Sequence, residues 1–200
     1  YNDYSIDLVD ISKQMLKQCQ NSSINKVCKG MLEFLTVQES CCYDAIVCTW
    51  ALMYEQPQKV LNQCQRLLKN GGYLYILVND QQTLPQIRKI YPKLLIEYVG
   101  LINKLMFDLP MPNNAQQLER WAKKAGLKNC LVTSKKQEFY FTDWNRAAKF
   151  VTSTGALAGY DAMLDLKNEK IFNTLVEQLQ KFFTKPCITH HFVMGIFKKG

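Results

Sequence analysis

No uninterrupted apolar run in this chain reaches the length needed to cross a bilayer. The nearest, Leu94 to Met111, is broken by Glu97, Lys104, Asp108 and Pro110. The first residues carry neither a basic region nor an apolar one of the kind that opens a secretory signal. No C-x-x-C pair is present, and Cys41-Cys42 are adjacent, which excludes the usual zinc-knuckle and dithiol spacings. Only two histidines occur, side by side at 190 and 191, and no carboxylates cluster at ligand spacing, so no metal site is expected. Nine glycines are spread without a G-x-G-x-G, and there is no repeat, low-complexity tract or arginine-rich run. The lysines come as scattered doublets (123-124, 135-136, 198-199), so the net charge of +8 reads as a solvated surface suited to an anionic or acidic partner, with nucleic acid disfavoured.

What is present suits one α/β domain over residues 1–200 with a substantial core, since 48% of the residues are apolar. The eight cysteines are expected to be free thiols of a cytoplasmic protein. Cys28 and Cys48 lie in apolar strand patterns and Cys64 on a helical stripe, where thiols act as small hydrophobes.

The strongest local pattern is YDAIVC, from Tyr43, followed by a helical stripe of Val60, Leu61, Cys64, Leu67 and Leu68, then Asn70-Gly71-Gly72, then YLYILV to Val78. Two buried strands around a helix closed by a glycine stop predict a parallel βαβ crossover. Upstream, Ser5 to Asp10 reads as a strand ending in an acid. Ser12 caps a helix over 13–20, Ile24 to Cys28 forms another strand, and 29–40 is a loop with a short helical turn. Downstream, 81–112 is mostly helical, and a helix through Leu118, Trp121 and Ala122 stops at Gly126. Residues 127–141 alternate as a strand, Thr142 or Asp143 caps a further helix, 171–183 is amphipathic, and 189–198 is a closing strand.

The segment LLKNGGYLYILV resembles the L-K-P-G-G-x-L-x-I segment of class I S-adenosylmethionine (SAM)-dependent methyltransferases, and IDLVDIS is similar to their second-strand motif. The resemblance implies a Rossmann-like, doubly wound sheet with an antiparallel C-terminal edge strand, and SAM as cofactor. In that fold the first strand is central and the glycine-rich turn after it holds the amino-acid end of the cofactor. Residues 1–200 begin at what reads as the second strand. A sheet without its central strand leaves buried N–H and C=O groups unpaired at about 1–3 kcal/mol each. The expectation is therefore roughly 40–60 further residues upstream.

The same resemblance places cofactor contacts at six residues. Asp10 is set to accept the ribose hydroxyls, though it or Ser12 also suits a plain helix cap, and Ile11 to lie against adenine. Met31 stands where the family often has an acid, a departure, with Leu32 offering a backbone N–H to the ring. Cys48 and Thr49 follow the fourth strand beneath the transferred methyl group. Trp50 and Tyr54 wall an acceptor pocket or else pack the next helix.

The last third, FYFTDWNRAAKFVTSTGALAGYDAML through ITHHFVMGIFKK, resembles malonyl-carrier-protein and related small-acid carboxyl methyltransferases. That likeness implies a small-molecule or carrier-bound acid as acceptor. Trp144 would bound the substrate and Arg146 or Lys149 hold its anionic end, because no arginine precedes the T-G-A loop. Residues 81–112 and 142–183 are read as helical lid insertions, with Leu101, Leu105, Met106 and Phe107 facing Trp144 and Leu157. A carboxylate acceptor needs no base, so no catalytic residue is assigned. Two other functions fit the same residues. One is a methyltransferase-like binding or assembly protein without catalysis, suggested by Met31 and the absent glycine-rich turn. The other is methylation of protein or RNA, suggested by the charge.

Overall fold

The computed structural model describes residues 5–103, 109–155, 157 and 159–200. Leu105, Met106 and Phe107, expected in the lid, and Ala156 and Ala158 of the expected loop lie outside them. The chain divides into two compact units. The first comprises residues to Val78 with Ala115–Thr133 and Met194–Gly200, the second Asn79–Asn114 with Ser134–Val193.

In the first unit, β1 (Ile6–Asp10) pairs in parallel with β2 (Ile24–Cys28) through α1 (Lys13–Gln18), whose N-cap Ser12 accepts from Met15 N. After α2 (Met31–Val37) comes β3 (Tyr43–Thr49), then α3 (Pro57–Leu67), started by a proline that needs no N–H partner there, then β4 (Leu68–Asn79), parallel to β3. The expected parallel crossover is therefore present. The 29–40 loop is instead largely α2. Arg66 of α3 supports the end of that helix, its guanidinium donating to the carbonyls of Leu35 (2.9 Å) and Gln38 (2.8 Å). Nor does the Asn70-Gly71-Gly72 stop end α3. The helix closes at Leu67 and the glycines sit inside β4, in an irregularity where the register passes from Tyr43↔Leu68 to Ala45↔Tyr73.

Helix α3 packs between α2 and α5 (Ala115–Lys124). Val60, Leu61, Cys64 and Leu67 of α3 are buried, as are Leu74, Ile76 and Val78 of β4. The alternation of β3 shows that one of its faces is covered. Cys48 is buried, whereas Val47, in register with the exposed Tyr75, is 67% exposed. The reading of β3 as a fully buried strand is corrected accordingly, and Cys28 is likewise exposed rather than packed.

The described strands form a two-stranded sheet, β1–β2, and a four-stranded one in the order β3–β4–β6–β5, with β5 spanning Leu127–Tyr140 and β6 Cys187–Lys199. The terminal strand pair does build this side of the sheet. However, β6 inserts between β4 and β5, so the last strand is interior and β5 takes the edge expected of it. The C-terminal Lys199 reaches from β6 to the Leu68 carbonyl at 2.8 Å.

The second unit gathers most of its helices around one apolar core and also holds the end of β5 and the start of β6. Within it α8 (Glu169–Phe182) packs against both α4 (Pro85–Glu97) and α6 (Trp144–Ser153), and α7 (Tyr160–Met163) is a short turn of helix. Ile87, Ile90 and Leu94 of α4 meet Ala147, Val151, Ile171, Leu175 and Leu179 in that core. Asp143 caps α6, its Oδ1 accepting from Arg146 N at 2.8 Å. Tyr91 donates to the Tyr160 carbonyl at 2.6 Å, and Tyr98 and Thr174 share a 2.7 Å hydroxyl bond. No helix among the described residues is long and apolar enough to cross a membrane.

Candidate functional site

Parallel strands place their C-terminal ends on one side, and side chains there converge without any helix covering them. Two contacts show that β3 runs in the same sense as β1 and β2, although it pairs with neither. Tyr43, at the start of β3, donates to Asp7 Oδ2 on β1 at 2.6 Å, and Cys48, near the end of β3, lies 3.9 Å (Sγ to Sδ) from Met31, just beyond β2. The ends of β1, β2 and β3 thus form one edge carrying Asp10, Ile11, Met31, Cys48 and Thr49.

Asp10 closes β1, and its Oδ1 accepts the Ser12 N–H at 2.7 Å. That bond holds the carboxylate at the strand tip as α1 begins, while Ser12 Oγ does the capping that sequence reading offered as an alternative for either residue. Ile11 is 78% exposed, a flat apolar surface next to that acid, and its carbonyl accepts from Cys28 Sγ at 3.5 Å. Leu32 lies in the first turn of α2, where backbone N–H groups have no intrahelical acceptor. It lines a groove with Glu33, Thr36, Lys59, Asn62 and Gln63. Burial pushes the Cys48 thiol up to about 11, so it is a neutral packing group at physiological pH.

Trp50 follows directly. Its N–H donates to the Leu77 carbonyl at 2.7 Å, and its φ of +55° is a strained conformation for a bulky residue. Trp50 and Tyr54 both expose part of their rings, at 40% and 50%, while Leu52 and Met53 between them are buried. The tight turn after β3 thereby presents two aromatic faces and buries the aliphatic pair.

The acceptor residues expected from the last third are not gathered with these. Trp144 is buried in the core of the second unit, its ring 5.9 Å from that of Phe183, so it packs that core and is not an exposed wall. Arg146 is exposed on α6, 3.9 Å from Asp143. His190 is half-buried, edge-on to Phe139 at 5.7 Å, and burial holds it below the ordinary histidine range. Among the described residues no three His, Cys, Asp or Glu side chains come together as a metal set.

Sequence reading missed the turn after β4, where Asn79, Asp80 and Thr83 are all buried. The dipeptide Asn79-Asp80 at the end of an apolar run was its visible signal.

The fold is that of the class I methyltransferases. Over 98% of this chain and 83% of the other, it is similar to the crystal structure of a Bacillus halodurans protein assigned as a methyltransferase, with a TM-score of 0.57 at 14% identity. It is also similar to geranyl diphosphate methyltransferase in complex with SAM, over 98% of this chain and 69% of that one, with a TM-score of 0.52 at 12% identity. In sequence, residues 2–76 match the family model of a methyltransferase domain. Over 135 residues the chain is 30% identical to the ubiquinone biosynthesis O-methyltransferase of Coxiella burnetii (strain Dugway 5J108-111), which is 66% of this chain and 54% of that protein. The chain thus spans about half the length of the curated relatives it matches.

Proposed function

We propose that this chain is part of a SAM-dependent methyltransferase acting on an oxygen or related nucleophile of a small molecule. The observation that carries the reading is the convergence of Asp10, Ile11, Met31 and Cys48 at one end of three strands of the same sense, within the stretch that matches the methyltransferase domain model. The residues fit an adenosine group. Asp10 is held at a strand tip, where a carboxylate can accept from ribose hydroxyls, and Ile11 offers the exposed apolar surface an adenine ring would cover. Met31 supplies a polarisable thioether where an acid would have met the exocyclic amine, so recognition of the base rests on packing and on the Leu32 N–H.

SAM, when bound, supplies a methyl group on an electron-poor carbon. The chain's own part is to bind, align and exclude water. Cys48, neutral and buried, adds no competing nucleophile, and Trp50 and Tyr54 present apolar faces that keep solvent away. Acceptor binding is assigned to the second unit, which holds segments 81–112 and 142–183. The similarity to an O-methyltransferase supports an oxygen acceptor on a small organic molecule. A small or carrier-bound acid is the form suggested by the C-terminal resemblance, with Arg146 or Lys149 as its cation.

Calorimetric titration with SAM tests the reading. Wild type is expected to bind, and Asp10→Ala to weaken binding at least tenfold, about 1.5 kcal/mol for lost charge-assisted bonds. Equal affinities would remove Asp10 from the site. Binding without transfer of labelled methyl to any small acceptor would favour the non-catalytic binding protein, the reading that Met31 supports.

A further inference from the structure

Helix α4 buries one face in the core of the second unit and turns the other to solvent. Ile87, Ile90, Tyr91 and Leu94 are buried, whereas Arg88, Lys89, Pro92, Lys93 and Ile96 are exposed. A single 3-10 turn, Val99–Leu101, follows the helix. At 3.6 residues per turn, Pro92, Ile96 and Val99 succeed one another along the outward face, with Arg88 on one flank and Lys89 and Lys93 on the other. Ile96 is 78% exposed and Val99 70%, so the folding of this chain gives these two side chains almost no burial.

The cations beside this row are held in place and unpaired. Lys93 Nζ lies 3.8 Å from the centre of the Phe182 ring, and Lys89 Nζ lies 5.4 Å from those of both Phe182 and Phe183. An ammonium resting on an aromatic face keeps its charge at a fixed place. Those rings close α8, where the exposed Lys181 and Lys185 add to the charge. Among the described residues none of these five cations is within ion-pair distance of a carboxylate. The acids nearest along the two helices are Glu97, one turn beyond Lys93, and Glu177, one turn before Lys181, so positive charge is in excess.

Each half of this pattern selects its partner. Unpaired cations favour a dense negative surface. A nucleic acid or an acidic peptide would meet them yet leave the apolar row in water. The interface of an anionic bilayer supplies both requirements at once, phosphates for the cations and the acyl boundary for the apolar side chains. Such a helix lies in the interface, which differs from a crossing, and no described helix is long and apolar enough to cross.

We infer that the outward face of α4 is a docking surface for an anionic lipid bilayer, with Pro92, Ile96 and Val99 entering the head-group region and Arg88, Lys89 and Lys93 meeting the lipid phosphates. This inference is independent of the methyltransferase reading.

Sedimentation of the 200-residue protein with vesicles tests it. Vesicles of equal parts phosphatidylcholine and phosphatidylglycerol are expected to bind at least tenfold more tightly than phosphatidylcholine alone. A lysine close to an anionic surface is worth about fivefold in affinity, so Lys89→Gln with Lys93→Gln should weaken binding at least tenfold. Ile96→Ser with Val99→Ser should do the same by removing the apolar contact. All four side chains are exposed, so neither pair of changes touches the core. Lys123→Gln with Lys124→Gln makes the same change of net charge on α5 and should leave the affinity within about twofold. Equal binding to both kinds of vesicle, or binding to neither, overturns the inference. An equal loss from the α5 pair overturns it too, because net charge and not this face would then be responsible. Soluble polyglutamate binding as tightly as the anionic vesicles, with no loss in the Ile96→Ser, Val99→Ser protein, would replace the bilayer with an acidic macromolecule.

Discussion

Replacing Gly72 by alanine should break the joint on which β3 and β4 are paired, and replacing Gly71, one residue away, should not. Between the pairs Tyr43↔Leu68 and Ala45↔Tyr73, β4 advances five residues while β3 advances two, so β4 folds its surplus into an irregularity that contains both glycines. A Cβ on Gly72 would lie 2.9 Å from the Asp44 carbonyl oxygen, 2.9 Å from that of Lys69 and 3.3 Å from Leu68 Cδ2. The two closest atoms are backbone, one on each strand, and cannot turn aside without breaking the pairing. Overpacking of this kind costs typically 1–3 kcal/mol, and because the two closest atoms are backbone Gly72→Ala should cost about 3 kcal/mol. Gly71 has φ +82°, and its Cβ would meet only Lys198 Cε, at 3.8 Å. Its penalty is the left-handed backbone alone, about 1 kcal/mol, and asparagine there should recover part of it. Urea unfolding followed by circular dichroism measures the difference. With a slope of roughly 2–3 kcal/mol/M, Gly72→Ala should lower the midpoint by about 1 M and Gly71→Ala by less than half of that. Equal losses, or a greater one at Gly71, would show that the close approach of the two strands is not what requires the second glycine.

Three further outcomes follow from burial and charge. Ellman's reagent at pH 8 should titrate the exposed Cys28, Cys41 and Cys130 quickly and reach Cys48 and Cys64 only after denaturant, because burial raises both of those thiols; modification of native Cys48 at the rate of Cys41 would contradict this. Burial raises the Asp80 carboxyl, so the folded chain keeps a proton that the unfolded chain has already lost, and stability falls as pH rises through that window from about 4. Asp80→Asn should therefore stabilise the protein at neutral pH, with the gain vanishing below about pH 4 in paired melts; a pH-independent difference would rule out burial of charge as its source. His190 is lowered by burial, so the unfolded chain takes up its proton first and stability is lost as pH drops below about 6.5 toward the folded value. His190→Phe should flatten that limb of the melting profile, and an unchanged profile would move the titration elsewhere.

Much of the candidate site was legible because its signals are local. An apolar run that ends in an acid before a serine cap places Asp10 at a strand tip, and the spacing of Val60, Leu61, Cys64 and Leu67 marks the stripe that α3 buries. Periodicity reports which residues share a face, and capping residues report where a segment ends. Those two signals were sufficient for the β3–α3–β4 crossover.

Other features depended on partners far along the chain. Helix α2 has no side-chain cap at Gly30, and the carbonyls at its other end are met by Arg66, 31 residues beyond Leu35, so its sequence alone reads as a loop. Gly71-Gly72 looks like a helix stop, yet the strands it joins turn it into an irregularity within β4. The aromatic pattern of α6 does not say whether Trp144 faces a ligand or a core, and packing against Phe183 decided for the core. The position of β6 between β4 and β5 is set by pairing across the sheet, which no local period encodes. The turn after β4 is the clearest case. The sequence determines that Asn79 and Asp80 end an apolar run, but the turn is held by Thr189 and His191, more than a hundred positions later, whose N–H groups donate to Gln86 Oε1 and Thr83 Oγ1.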